Sequence, residues 1–135
     1  MCHTRPVIAV LDDEPQMGKA LGRLLRTHGF EVVCFTSGAE LFAAFSARLR
    51  DCLVLDLHMP HLNGFEVLEW LAAQQIPVPV VVITGHDQPG NSERARELGA
   101  VDYLLKPLGE SQLLAAIRRA IGMEAPSIEA LRPER

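Results

Sequence analysis

The sequence is short of several things, and each shortage removes a class of protein. It has three cysteines in 135 residues, Cys2, Cys34 and Cys52. The number is odd and no CxxC pair occurs, so neither a disulfide framework nor a thiolate metal site is expected. The thiols are read as reduced, in a cytoplasmic setting. No apolar run reaches the roughly 18 residues that a membrane span requires. The opening segment MCHTRPVIAVLDDE has too short an apolar run before its acids to be a secretory signal. Basic residues do not dominate: 13 Lys and Arg stand against 17 Asp and Glu, a formal charge of −4. That is the wrong sign for a nucleic-acid surface. Internal repeats and low-complexity segments are missing too. What remains is ordinary globular composition, 48% apolar and 22% charged, which argues against disorder. The length suits one domain with a real core.

Two kinds of segment alternate along the chain. PVIAVLDD, EVVCF, CLVLD, PVVVIT and AVDYLLK are short apolar runs, the fourth rich in β-branched residues. Between them lie stretches with helical spacing. Met17, Leu21, Leu24 and Leu25 form one apolar stripe, stopped at Gly29. Leu41, Phe42 and Phe45 form a second, opened by Ser37 with Glu40 three residues on, a capping-box pattern. Asn63 and Glu66 repeat that pattern ahead of Val67, Leu68 and Leu71, and Leu114, Ile117 and Ile121 mark the last helix. The fourth helix, within GHDQPGNSERARELG, is the weakest, with few apolar positions beyond Ala95 and Leu98, and reads as a mobile element. Five β–α units with continuously apolar strands imply a parallel sheet covered by helices on both faces. The pattern stops after Gly122, so residues 1–122 are expected to form the domain and 123–135 a tail or linker stub.

Polar residues concentrate where the apolar runs end. The first strand runs into Asp12 and Asp13, the third into Asp56, the fourth into Thr84, and the fifth into Lys106 and Pro107. In an open parallel sheet, ligands bind outside the carboxyl ends of the strands, where the strand order reverses. Three carboxylates gathered there repel one another and raise at least one pKa. A hard divalent cation such as Mg²⁺ relieves this, because it takes carboxylate oxygens and keeps several waters. Together with a lysine and a hydroxyl, such a site suits a phosphoryl group. No Ser/His or Cys/His arrangement is apparent, so the nucleophile is expected to be an acid.

Taken in order, LDDE, VLDLHMPHLNGFEVL, VVVITGH and GAVDYLLKP resemble the signature segments of the bacterial response-regulator receiver domain, over about residues 6–121. The resemblance implies a flavodoxin-like (βα)₅ fold with strand order 2-1-3-4-5. It implies that Asp56 is the phosphoacceptor. Asp13 would be a direct Mg²⁺ ligand, with Asp12 acting mostly through water and the His58 backbone carbonyl as a further ligand. Thr84 would turn toward the phosphate, Lys106 would contact it across a cis bond to Pro107, and Tyr103 would be the switch aromatic. The Met59-Pro60 turn would re-route the chain after Asp56. The implied partners are a histidine kinase or histidine phosphotransfer protein and an output protein that reads the face of the fourth helix, fifth strand and fifth helix. The resemblance also admits a phosphorylation-dependent homodimer. It implies signalling as in single-domain chemotaxis regulators: no turnover of a substrate, and no contact of this chain with DNA or membrane.

Each residue also has a plainer reading. Asp12 and Asp13 could cap the first helix, a role Asp13 could share with metal binding. Met17, Met59 and Trp70 are expected to pack, and His3, His28 and His61 to be surface residues without a role. His58 and His86 lie two residues beyond Asp56 and Thr84 and should overhang the phosphate mouth. They are either exposed loop residues or tuners of dephosphorylation. Three other readings of the whole chain share the pattern: an Asp-nucleophile phosphatase of the haloacid-dehalogenase kind, a receiver-like binding module that is never phosphorylated, and the N-terminal receiver of a larger regulator. The first expects a second acid two residues beyond the nucleophile, where this chain has His58.

Overall fold

Five apolar runs become strands, Val7–Leu11 (β1), Glu31–Phe35 (β2), Cys52–Asp56 (β3), Val80–Thr84 (β4) and Ala100–Leu105 (β5). They alternate with the helices Pro15–Thr27 (α1), Gly38–Ala47 (α2), Gly64–Ala73 (α3), Asn91–Glu97 (α4) and Glu110–Ala120 (α5). All strands are parallel, in the order β2-β1-β3-β4-β5. This is the flavodoxin-like arrangement implied by the sequence. The computed structural model describes residues 5–47, 51–59 and 62–122, with nothing said of the side chains of residues 45–47. The expectations for Cys2, His3, the Phe45 side chain, Pro60, His61 and the segment 123–135 therefore lie outside the described residues.

The two-residue alternation of the strands splits the core into two layers. Ile8, Val10, Val54, Val81 and Ile83 face α1 and α5, where Leu21, Leu25, Leu113, Leu114 and Ile117 meet them. Ala9, Leu11, Leu53, Leu55 and Val82 face the other way, against Leu41, Val67, Leu68, Leu71 and Ala95. The stripe read for α5 was incomplete: Leu113 is buried beside Leu114, while Ile121 is only partly covered. Met17 and Met59 are half-buried against the core, and Trp70 stacks on Phe42 with ring centroids 4.2 Å apart. Full coverage of both faces holds for β3 and β4, which are buried at every residue. It fails at the sheet edges. Glu31 and Cys34 of β2 are exposed, and Val101 and Leu105 of β5 are each 47% exposed. An edge strand has a neighbour on one side only, so fewer helix side chains reach across it.

Helix starts decide how the strand ends are presented. At α3 the capping box is complete: Asn63 Oδ1 accepts from the Glu66 N–H at 3.0 Å, and Glu66 Oε1 accepts from the Asn63 N–H at 3.2 Å. At α2 only half of it forms. Ser37 Oγ accepts from the Glu40 N–H at 3.2 Å, but the Glu40 carboxylate bonds the N–H of Thr36. At α1 neither Asp12 nor Asp13 is the N-cap. That position belongs to Glu14, whose side chain makes no cap bond, with Pro15 opening the helix. Asp12 instead receives the Glu14 N–H on Oδ1 at 3.0 Å, which fixes the turn and leaves Asp13 uncommitted to the helix. Gly64 begins α3 hard against the previous strand. Its N–H donates to the Leu57 carbonyl at 2.8 Å, and a Cβ built there would lie 2.9 Å from the Leu57 Cα. The turn after Asp56 closes only around a residue without a side chain.

Candidate functional site: an acid cluster at the sheet's switch point

Strand order reverses between β1 and β3, so the crevice outside their carboxyl ends is where a ligand would sit. Asp12 follows β1 directly, and Asp56 is the last residue of β3. Asp12 and Asp56 are buried, only 1% and 4% exposed, and Asp13 is half-buried beside them. Each of the three offers a carboxylate oxygen, and these oxygens all lie within 4.8 Å of one another. Lys106, carried in from the end of β5, places Nζ 3.4 Å from Asp12 Oδ2 and 3.7 Å from Asp56 Oδ1. These are long contacts for a charge-assisted hydrogen bond. One ammonium is shared between two acids and neutralises neither fully.

Asp56 shows the consequence. Its carboxyl is pushed up from near 3.8 to about 6, first by burial and then by the neighbouring Asp12 charge. Lys106 and the His58 N–H, 3.4 Å from Oδ1, offset only part of that. An acid kept costly to ionise by burial and by a neighbouring acid is a group a hard cation would stabilise. The all-oxygen donor set and its spacing fit Mg²⁺, with Asp12, Asp13 and Asp56 as the side chains that would hold it.

Thr84 closes β4 and is fully buried. Its hydroxyl receives the backbone N–H of His86 at 3.0 Å and lies 3.0 Å from His58 Nδ1. His58 and His86 come together beside Thr84, both exposed, with ring centroids 5.2 Å apart and planes tilted by 57°. The spacing of the motifs brought them to one place. It did not foretell that the His58 ring would reach across from β3 to the hydroxyl on β4, because that contact depends on a side-chain rotamer in a loop. His28, read as a surface residue, pairs with Glu110 at 2.9 Å between α1 and α5.

Tyr103 lies apart from the acids. Its hydroxyl donates to Asp87 Oδ1 at 2.8 Å, tying β5 to the loop that follows Thr84. Its pKa is pushed up to about 12, by burial first and by the Asp87 bond second. Beside it, Asp102 binds two cations, Arg119 at 2.7 Å and Arg96 at 3.4 Å, joining α4, β5 and α5. Sequence reasoning gave no role to Asp87, Asp102 or either arginine. Asp102 does lie within GAVDYLLKP, but nothing in that segment foretells its pairing with arginines six residues before and seventeen after it. The Lys106–Pro107 bond is cis, as the resemblance implied.

Fold and cluster together define an α/β domain with an acidic, phosphoryl-compatible site at its switch point. Residues 8–118 match the family model "Response regulator receiver domain", and the chain belongs to that family, the receiver domains of two-component response regulators. It is 37% identical over 124 residues to the transcriptional regulatory protein FixJ of Bradyrhizobium diazoefficiens, covering 92% of this chain and 60% of that protein. It is 36% identical over 129 residues to nodulation protein W of the same organism, covering 96% and 57%. The chain thus spans somewhat over half the length of these relatives. Among solved structures, a response regulator receiver protein from Burkholderia phymatum matches with a TM-score of 0.80 and 38% identity, covering 90% of this chain and 99% of that one. The FixJ N-terminal domain matches at 0.79 and 36%, covering 89% and 96%.

Proposed function

We propose that this chain is a phosphoacceptor whose acceptor is Asp56. The observation that carries the reading is the trio of carboxylates within 4.8 Å of one another with an ammonium 3.4–3.7 Å away, at the switch point of a parallel sheet. A carboxylate oxygen of Asp56 attacks the phosphorus of a phosphohistidine on a kinase or phosphotransfer protein. The new P–O bond forms as the P–N bond to the donor imidazole breaks, and the electron pair leaves with the imidazole. Asp12, Asp13, Asp56 and the His58 carbonyl would hold Mg²⁺, which when bound offsets the negative charge of the acids and the incoming phosphoryl oxygens. Lys106 contributes a positive charge 3.4 Å from Asp12 and 3.7 Å from Asp56. The apolar groove beside it, between α1 and the segment after β5, is lined by Met17, Leu21, Leu24, Pro107 and Leu108 and suits a helix of the donor.

The acyl phosphate draws Lys106 and the Thr84 hydroxyl toward its oxygens. Thr84 is joined through Gly85 and His86 to Asp87, and Asp87 holds Tyr103, so the pull reaches the α4–β5–α5 face. The result is a population shift between two packings rather than a rebuilt fold. The exposed Val101 and Leu105 on that face supply apolar area for an output partner or a second copy. The chain holds a phosphoryl group rather than turning over a substrate. The second acid of an Asp-nucleophile phosphatase is absent, with His58 in its place. Among the described residues no helix is long and apolar enough to cross a membrane, which agrees with a cytoplasmic signalling role.

Incubation with a small acyl phosphate and Mg²⁺ should add one phosphoryl group, mapped to Asp56 by intact-mass and peptide analysis. Asp56→Ala should add none; a group that persists in that variant would place the acceptor elsewhere. Saturating Mg²⁺ at a hundredfold over its Kd should stabilise the wild type by about 2.7 kcal/mol through mass action. Asp13→Ala should lose that gain, and an unchanged wild-type melting temperature across the titration would remove the metal from the reading.

A further inference from the structure

Among the described residues the buried Thr84 hydroxyl has two partners, and they determine where its proton goes. A threonine hydroxyl has one proton to give and two lone pairs to receive. The His86 N–H occupies one lone pair. If His58 Nδ1 were also a donor, both lone pairs would be filled, and the proton of a group with no exposed surface would have no acceptor. An unpaired buried donor is among the costlier defects a polar group can have. With Nδ1 as acceptor the proton is paired, and the ring carries its own proton on Nε2, in a side chain that is exposed to solvent.

We propose that His58 is a latch: its imidazole accepts the Thr84 proton at rest and so sets how much of a phosphorylation event is passed on to Tyr103. The inference rests on the phosphoacceptor reading of Asp56. A phosphoryl group there presents anionic oxygens that compete for the same proton, and the hydroxyl has only one to give. Thr84 must leave Nδ1 before it can engage. The His86 ring stands beside the His58 ring, its centroid 5.2 Å away and tilted by 57°, and the His86 N–H occupies the other site on Oγ1. The Tyr103–Asp87 bond lies three residues beyond Thr84, so the position of the hydroxyl is transmitted along a short, continuous segment. His58 acts through Thr84 and is a positioning residue.

Two measurements test this. In the resting protein, long-range ¹H–¹⁵N spectra of the neutral ring should show His58 as the Nε2–H tautomer; an Nδ1–H tautomer overturns the proposal. In the protein treated with acyl phosphate and Mg²⁺, Asp56 occupancy is read by intact mass, and the ratio of shifted to unshifted Tyr103 signal is compared at equal occupancy. His58→Ala should raise that ratio roughly two- to tenfold, the size of one net hydrogen bond. His58→Asn, whose side-chain amide puts a polar atom near the position of Nδ1, should return it toward wild type, and His58→Gln should not. An unchanged or lower ratio in His58→Ala, or His58→Asn behaving like His58→Ala, overturns the latch while leaving the acceptor intact. A wild type that takes up no phosphoryl group overturns both.

Discussion

The two β–α junctions beside the site are built differently. After β3 the chain is pinned. Gly64 is pressed against the Leu57 backbone, the Asn63–Glu66 capping box closes the start of α3, and Gly64, Val67, Leu68 and Leu71 are buried. After β4 the chain is loosely held. Helix α4 has seven residues, follows an N-cap Gly90 with a φ of 86°, has no side-chain cap and buries only Ala95. Among the described residues its other attachments include Arg94, over the Phe65 ring at 4.2 Å and 3.8 Å from Glu69, Arg96 with Asp102, and the Asn91 side chain with Tyr103, all polar or on the surface. Few buried apolar contacts mean low local stability. The difference separates two tasks. The rigid junction holds an ionisable group in an unfavourable place; on the function proposed above, the loose one would be the part that repacks when that group is phosphorylated.

The largest effect expected from breaking this contrast is at Gly64. Gly64→Ala places a methyl 2.9 Å from the Leu57 Cα and 3.3 Å from the Asp56 carbonyl oxygen, and should cost about 2 kcal/mol in urea unfolding. A cost below about 0.5 kcal/mol would show that the β3–α3 junction is not rigid.

Next comes the charge that the rigid junction retains. The folded pKa of Asp56, about 6, lies above its ordinary 3.8, so the unfolded chain gives up this proton first. The stability contributed by the protonated group is complete below about pH 4. It falls as pH rises toward 6 and stays lost above that. Without divalent cations, Asp56→Asn should therefore be the more stable protein at pH 7, by on the order of 1–2 kcal/mol, and should flatten this part of the profile. Equal stability of the two proteins from pH 4 to 8 would refute the strained carboxylate.

The smallest effects compare the helix starts directly. Asn63→Ala should cost about 1 kcal/mol through the lost cap. Arg94→Ala should cost less than about 0.5 kcal/mol, since its ion pair is exposed. Native-state hydrogen exchange should already be faster in α4 than in α3. Protection in α4 equal to that in α3 would erase the distinction between the two junctions.

Much of the fold could be read before any coordinates. Continuous apolar strands locate the sheet because strands covered on both faces are apolar except where they end at the site, and the Asn63–Glu66 pair locates the start of α3 because its bonds are local. Asp56, Thr84 and Lys106 could be read as a group because topology alone carries strand ends to one edge. Less could be read where a choice between neighbours was involved. Glu14, not Asp13, occupies the N-cap, and Glu40 turned to Thr36 rather than Ser37. In each case two groups one residue apart compete for the same role, and small differences in turn geometry decide between them.

The order of apolar and polar segments determined the α/β architecture, the family and the set of acids at the strand ends, since each follows from local spacing and a sheet topology with few alternatives. Tertiary structure alone decided the rest: that β2 and β5 would be exposed at the edges, that the Asp56 carboxyl would be pushed up to about 6, that His58 would meet the Thr84 hydroxyl, and that Asp87 would hold Tyr103. These depend on burial and on distances between side chains far apart in the chain or set by loop rotamers, and electrostatic energy changes steeply over those few ångströms. Periodicity along a sequence does not encode such distances.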